Sequence, residues 1–216
     1  MMDKPFFGAF LDVAGRLCVV IGGGQVAERK VRSLLDCRAR VRVVSPALTP
    51  GLEELAADGT IEYVARPYQP GDAKDAFLTI AATDSLTVNR QVVEEADAEG
   101  RLVNTVHAAA GGNLILPAVM RRGPLQVAIS TSGTGPVLAR LIREELEGYF
   151  GPEYERYLEK LAAIRTRLRQ TVADEQTRAD ILRKIVRSNV RELLREGREA
   201  EADRTIRDII EGRKDG

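Results

Sequence analysis

The sequence predicts an α/β fold: a parallel sheet covered by helices on both faces, then a small α/β segment, then an all-helical C-terminal region. Three observations predict it. Short apolar runs alternate with helix-period segments over the first half of the chain. Three consecutive glycines join the first apolar run to the helix after it. Beyond Gly151-Pro152 only helical periodicity remains. A chain of 216 residues has room for one main domain and something smaller.

Cys18–Ile21, inside LCVVIGGGQVAERK, is apolar throughout and reads as a buried strand. Val26–Leu35 carries apolar residues at helical spacing. Val41–Val44 is the second strand, ended by Ser45-Pro46. Leu52–Ala57 reads as a short helix and Ile61–Ala65 as the third strand. Phe77–Ala82 is the fourth, followed by Thr83-Asp84 and a helix through Val88–Ala98. Leu102–Val106 is the fifth. This alternation is Rossmann-like, and a ligand of such a sheet lies outside the carboxyl ends of the strands. Those ends are Gly22–Gly24, Ser45-Pro46, Thr83-Asp84 and His107.

From Asn113 the pattern changes. Leu114–Leu116 and Leu125–Ile129 read as strands separated by PAVMRRGP, and STSGTGP leads into a helix that begins at Pro136, a favoured first-turn position. This unit is too small for a core of its own and is expected to pack on the first domain or on a second subunit. In the helical region Tyr154, Tyr157, Leu158, Leu161, Ile164 and Leu168 share one face. Ile181, Leu182, Ile185, Val186, Val190, Leu193 and Leu194 repeat that stripe, and Ile206, Ile209 and Ile210 end it.

Charge is balanced at 32 basic and 32 acidic residues, so no nucleic-acid partner is expected. Cys18 and Cys37 read as small apolar residues of a reducing compartment. MMDKPFFGAFLDVAG lacks the apolar run of a signal peptide and no stretch suits a bilayer, so no membrane partner and a cytoplasmic location are expected.

Gly22, Gly24 and Ala27 fit the G-x-G-x-x-G/A fingerprint of dinucleotide binding. The first glycine permits the turn, the second lets backbone approach a pyrophosphate, and the small third residue lets helix and strand pack closely. Gly22, Gly23, Gly24, Gln25, Val26 and Ala27 therefore form the candidate phosphate loop, with the helix N-terminus facing the phosphates. The ribose position after the second strand holds Ser45, Pro46 and Ala47 instead of a carboxylate, and Arg40 and Arg42 lie nearby in sequence. Charge alone thus leaves NAD and NADP both open. Thr83 and Asp84 end the fourth strand among small residues that suit a cofactor, and Asp84 or Ser85 caps the next helix. His107, the single histidine, sits past the fifth strand, as a proton acceptor or a satisfied structural residue. The STSGTGP turn (Ser130, Thr131 and Ser132 among its residues), with Arg121, Arg122, Arg140 and Arg143 around it, offers hydroxyls and guanidinium groups for carboxylates, or a flexible helix cap.

In this order the motifs resemble the precorrin-2 dehydrogenase family, the oxidase/ferrochelatase part of sirohaem synthases. The resemblance runs over about residues 5 to 150 through GGGQVAERK (22–30), VVSP (43–46), IAATD (80–84), Val88-Asn89-Arg90, Val103-Asn104, Leu116-Pro117-Ala118, Arg122-Gly123-Pro124-Leu125, Ser130–Gly133 and GPVLAR (135–140). It implies dehydrogenation of precorrin-2 to sirohydrochlorin with NAD as hydride acceptor, and in some members iron insertion. It implies a homodimer formed through the segment after the nucleotide domain. The implied organisation is a 1–113 NAD-binding Rossmann domain, a 114–150 dimerisation segment and a 151–216 helical domain. The substrate's eight carboxylates give Asn104, Arg121, Arg122, Ser130, Thr131, Ser132 and Arg140 an expected binding role; no resident metal is expected. One departure stands out. The family carries an aspartate after the fifth strand, held to be the general base, and counting back from Leu116-Pro117-Ala118 puts His107 in its place. Either histidine serves as the base, or the chain binds NAD or a tetrapyrrole without turning it over.

Overall fold

The computed structural model describes residues 6–213. The chain forms two compact units, one ending at Leu116 and taking in Ser132–Thr134, the other formed by Pro117–Thr131 and the chain from Gly135 onward. Among the described residues no helix is long and apolar enough to cross a membrane.

The first unit is a five-stranded parallel sheet of order β3-β2-β1-β4-β5, Rossmann-like as expected. Its strands are β1 (Leu17–Ile21), β2 (Arg40–Val44), β3 (Glu62–Val64), β4 (Leu78–Ala81) and β5 (Leu102–Thr105). The helices are α1 (Gln25–Asp36), α2 (Pro50–Ala57) and α3 (Leu86–Ala98). Alternation along the strands sorts the side chains into two layers. Cys18, Val20, Val41, Val43, Leu78 and Ile80 face the layer that takes Ala27, Val31 and Leu34 of α1 and Leu52 of α2. Val19, Ile21, Val44 and Ala81 face the layer holding Val92, Val93 and Ala96 of α3. Covering on both faces is why β1 has no polar residue. Thr49 caps α2 and Ser85, the second of the two expected candidates, caps α3. Cys18 is buried and Cys37 half-buried, and neither is in a disulfide.

Leu114–Leu116 is not a strand. Gly111 and Gly112 hold positive φ of 90° and 115°, and the chain then turns back along β5. The β5 backbone N–H of Val103 donates to the Asn113 side chain at 2.9 Å, while the Asn104 carboxamide donates to the Leu114 carbonyl at 2.9 Å. These side-chain bonds join two backbone bonds, from Asn113 and Leu114 N–H to Val103 O, in place of a regular ladder, and Leu114 and Leu116 pack against the α1-side core.

The second unit begins with the strand that the sequence reading took for a separator. Strand β6 (Ala118–Arg122) pairs antiparallel with β7 (Leu125–Ile129), with Arg122 opposite Leu125. Gly123, at φ 52°, and Pro124 form the two-residue loop, a glycine-first turn whose twist matches the strands. Helix α4 (Pro136–Tyr149) packs on this hairpin, burying Met120 and Ala139. The Arg122 guanidinium donates to the Phe150 and Glu147 carbonyls at 3.0 and 3.2 Å, occupying the carbonyl end of α4, where a cation is favoured.

Helices α5 (Glu153–Thr171), α6 (Glu175–Arg187), α7 (Val190–Arg195) and α8 (Glu199–Glu211) follow. Their core is Tyr157, Ile164, Leu168, Ile185, Val190, Leu193, Leu194, Ala202 and Ile206. Three residues leave the expected stripe, Leu158 among them as a half-buried residue outside this core. Val186 is 58% exposed, one step round the helix from Ile185. Tyr154 instead accepts a hydrogen bond from Arg191 at 2.8 Å, with that guanidinium over its ring.

Candidate functional site

The carboxyl edge of the five-stranded sheet is built by backbone bonds that continue the ladder one residue past the strands. Gly22 N–H donates to Val44 O (2.9 Å), Ala82 N–H to Ile21 O (2.8 Å) and Val106 N–H to Ala81 O (3.0 Å). The β1–α1 turn is therefore clamped between the ends of β2 and β4.

Each glycine of the turn meets a different demand. Gly22 has φ 121°, and a Cβ there would lie 2.3 Å from the Ala82 carbonyl oxygen. A Cβ on Gly23 would lie 2.0 Å from the Ala47 carbonyl oxygen and 2.8 Å from Ser45 Oγ. Gly24 has nothing within 4 Å of its Cβ position. It is the N-cap of α1, with extended backbone and no side-chain cap, so the cap residue leaves the first-turn N–H groups of this twelve-residue helix for other partners. Ala27 is fully buried, the close helix–strand contact that the fingerprint requires.

At the end of β2, Ser45 is buried and its hydroxyl donates to Ala47 O at 2.7 Å, shaping the loop that Gly23 touches; Pro46 and Ala47 are exposed. The two arginines nearby in sequence lie elsewhere. Arg40 stands at the amino end of β2, and Arg42 donates to Glu62 of the paired strand β3 at 2.8 Å. Behind the loop, Glu28 of α1 accepts from the Thr49 hydroxyl (2.5 Å) and Arg32 (2.7 Å), which hold its carboxyl below the usual range. A Cβ on Gly51 would fall 2.3 Å from Glu28 Oε1, so Gly51 lets α2 approach α1.

Thr83 ends β4 inside a clamp. Its N–H and hydroxyl both donate to Asn89 Oδ1, at 3.2 and 2.9 Å, and Asn89 Nδ2 donates to the Thr83 carbonyl at 2.9 Å. Asp84 follows on the exposed rim. At the end of β5, His107 is half-buried; its backbone N–H donates to Thr105 Oγ1 (3.2 Å) and its carbonyl accepts from Ala110 N–H (2.9 Å).

The first unit thus brings Gly22–Ala27, Ser45–Ala47, Thr83, Asp84 and His107 to one edge. Asn104, buried in β5, spends its amide on Leu114. On the second unit Arg121 is an exposed residue of β6, Arg140 an exposed residue of α4, and Ser130 and Thr131 follow β7. Thr131 Oγ1 accepts from Gly135 N–H at 3.1 Å; Ser132, at φ 51°, groups with the first unit. Arg143 donates along its own helix to Glu147 and to Glu144, the latter at 2.9 Å. One contributor escaped the list of site residues: Asn89, which the sequence marked only as part of the Val88-Asn89-Arg90 motif and as a polar residue between the apolar Val88 and Val92.

Comparison with known proteins agrees with this geometry. Residues 9–118 match the family described as "Putative NAD(P)-binding", and residues 122–149 match "Sirohaem biosynthesis protein central". A siroheme synthase of Pseudomonas paraeruginosa is 39% identical over 207 residues, 96% of this chain and 44% of the relative. A siroheme synthase of Thioalkalivibrio sulfidiphilus is 37% identical over 206 residues, 95% of this chain and 42% of the relative. The chain therefore spans less than half the length of these relatives. A solved structure, "SirC, precorrin-2 dehydrogenase", is 28% identical with a TM-score of 0.80, covering 94% of this chain and 100% of its own. With a glycine turn open at Gly24 and residues 9–118 matched as one stretch, the chain belongs to the family described as putative NAD(P)-binding.

Proposed function

We propose that this chain is an NAD-dependent dehydrogenase that converts precorrin-2 to sirohydrochlorin. The observation that carries the reading is the glycine turn: Gly22 and Gly23 are packed against neighbouring loops, whereas Gly24 opens onto space at an uncapped helix N-terminus, on the same sheet edge as His107. That shape fits a pyrophosphate held by backbone N–H groups. The likeness to SirC along that protein's whole length supports the same activity.

NAD, when bound, supplies the hydride acceptor. Gly22–Ala27 hold the pyrophosphate, and Ser45–Ala47 and Thr83-Asp84 line the ribose and nicotinamide positions. Oxidation of the macrocycle releases a hydride and a proton. The imidazole of His107 takes the proton, in the place where related proteins are expected to use aspartate. Arg121, Arg140, Ser130, Thr131 and Ser132 are the groups we assign to the substrate's carboxylates, as guanidinium and hydroxyl donors suited to them. The chain acts as a cytoplasmic homodimer through 114–150, a reading supported by Val137, Leu138 and Leu141, which leave an apolar face of α4 exposed.

The test is an anaerobic assay with freshly generated precorrin-2 and NAD, following sirohydrochlorin by absorption and NADH by fluorescence. NAD-dependent conversion supports the reading. NAD binding without conversion overturns it in favour of a binding module, and iron insertion into sirohydrochlorin without any dehydrogenation makes the chain a chelatase.

A further inference from the structure

Asn89 is completely buried in the second turn of α3, a position where an apolar residue would serve packing better. A buried carboxamide must find partners, and all three of its bonds go to Thr83: two into Oδ1, one out of Nδ2. The Thr83 hydroxyl also accepts from Ser85 N–H at 3.2 Å, so the start of α3 is tied into the same clamp. Thr83 is one bond from the Ala82 carbonyl that lies against Gly22. The Gly22 Cβ position is 2.7 Å from the Ala82 carbonyl carbon and 3.2 Å from Thr83 N. The 82–83 peptide is therefore one wall of the glycine turn, and Asn89 holds that wall on its far side.

We propose that Asn89 is a positioning residue for the dinucleotide: by fixing the 82–83 peptide against Gly22 it sets the opening into which the pyrophosphate and ribose fit. The inference rests on the reading of this edge as an NAD site. It goes beyond the fingerprint, because the residue lies 62–67 positions past the glycine loop and touches no ligand-facing surface itself.

Substitution by aspartate separates positioning from mere packing. In Asn89→Asp an ionised carboxylate keeps the acceptor for the Thr83 N–H and hydroxyl but turns an oxygen toward the Thr83 carbonyl, which repels it. Protonation restores a donor to that carbonyl. NAD affinity is measured on the full chain by calorimetry between pH 5 and pH 8, as the ratio of variant to wild-type Kd so that pH effects common to both chains cancel. The expected ratio is about tenfold at pH 8 and falls toward unity as pH drops, the scale of losing one hydrogen bond and gaining one repulsion in a buried site. Asn89→Ala is expected to be weak at every pH. A folded Asn89→Asp with wild-type affinity throughout, or a loss that does not change with pH, overturns the proposal. Thr83→Val and Thr83→Ser test the same clamp from its other side if the first variants do not fold. Loss in the valine variant and retention in the serine variant support the clamp, and equal affinities overturn it. Wild-type chain that binds no NAD overturns the NAD reading itself, and this inference with it, whatever the variants do.

Discussion

Gly22→Ala and Gly24→Ala are two steps apart and should fail in different ways. At Gly22 the φ of 121° lies where L-residues are rarely found, and a methyl group would sit 2.3 Å from a backbone oxygen held in the sheet by the Ala82–Ile21 hydrogen bond. The dihedral strain alone is of order 1–3 kcal/mol. Relief of the overlap needs movement of the β4 end or of the turn, which weakens the Ala82–Ile21 or Gly22–Val44 bond and adds about 1 kcal/mol. A total of about 3 kcal/mol corresponds to a fall in Tm of roughly 10 °C for a unit of this size. At Gly24 the backbone is extended, with φ −83° and ψ −176°, and the Cβ position is open. Its alanine variant should lose no more than about 1 kcal/mol, the scale of a changed N-cap, but should bind NAD at least tenfold more weakly because the methyl group occupies the approach to the helix N-terminus. Calorimetric melting and NAD titration of both variants check this. Equal stability of Gly22→Ala and wild type would refute the packing argument. Undiminished NAD affinity in Gly24→Ala would show that the phosphates lie elsewhere.

His107→Ala should lose turnover with NAD affinity unchanged, and His107→Asp should restore turnover with its pH–rate profile displaced to lower pH, as steady-state rates against pH would reveal. Thr79 is fully buried in β4 and its hydroxyl has no hydrogen-bond partner among the described residues, so Thr79→Val should raise stability by about 1 kcal/mol in a urea titration. The Glu28 carboxyl is held below its usual pKa by Thr49 and Arg32. Its contribution to stability is therefore present above the ordinary glutamate range and is lost as pH falls through the lowered value. Acid-induced unfolding of Glu28→Gln should be less steep over that interval, and an unchanged pH dependence would remove Glu28 from the account.

Strands β1, β2 and β4 were legible because parallel strands covered on both faces are mostly apolar: LCVVI is so throughout, and RVRVV and LTIA depart from it only at Arg40, Arg42 and Thr79. The segment around Leu114 misled for a physical reason. Its leucines pack against the core from an irregular chain, which Asn104 and Asn113 side chains and two backbone bonds to Val103 O hold in place of a regular ladder. The true strand β6 ends in two arginines, one of which closes α4, so its pattern looked like a polar connection. At the site, the fingerprint glycines were visible because their spacing is local. The obligation on Gly23 depends on Ala47, which is distant in sequence, and the clamp on Thr83 depends on the Asn89 side chain folding back from the next helix, a contact that local spacing alone does not announce.

Position 107 is placed by main-chain bonds on both sides, Val106 N–H to Ala81 and Ala110 N–H to His107, with the Thr105 hydroxyl receiving the amide of 107 itself. None of these involves the imidazole. The scaffold is therefore an interchangeable mount, and on the reading proposed above, exchange of one proton carrier for another at position 107 would alter the reaction's acidity range while the mount keeps its stability and its alignment. Amide hydrogen exchange at Gly22, Ala82 and Val106 should follow the slow rates of the sheet instead of the fast rates of loops, and it should do so equally in chains carrying histidine, aspartate or alanine at 107. If this edge is the active site, a rim of that kind lets selection tune chemistry one side chain at a time.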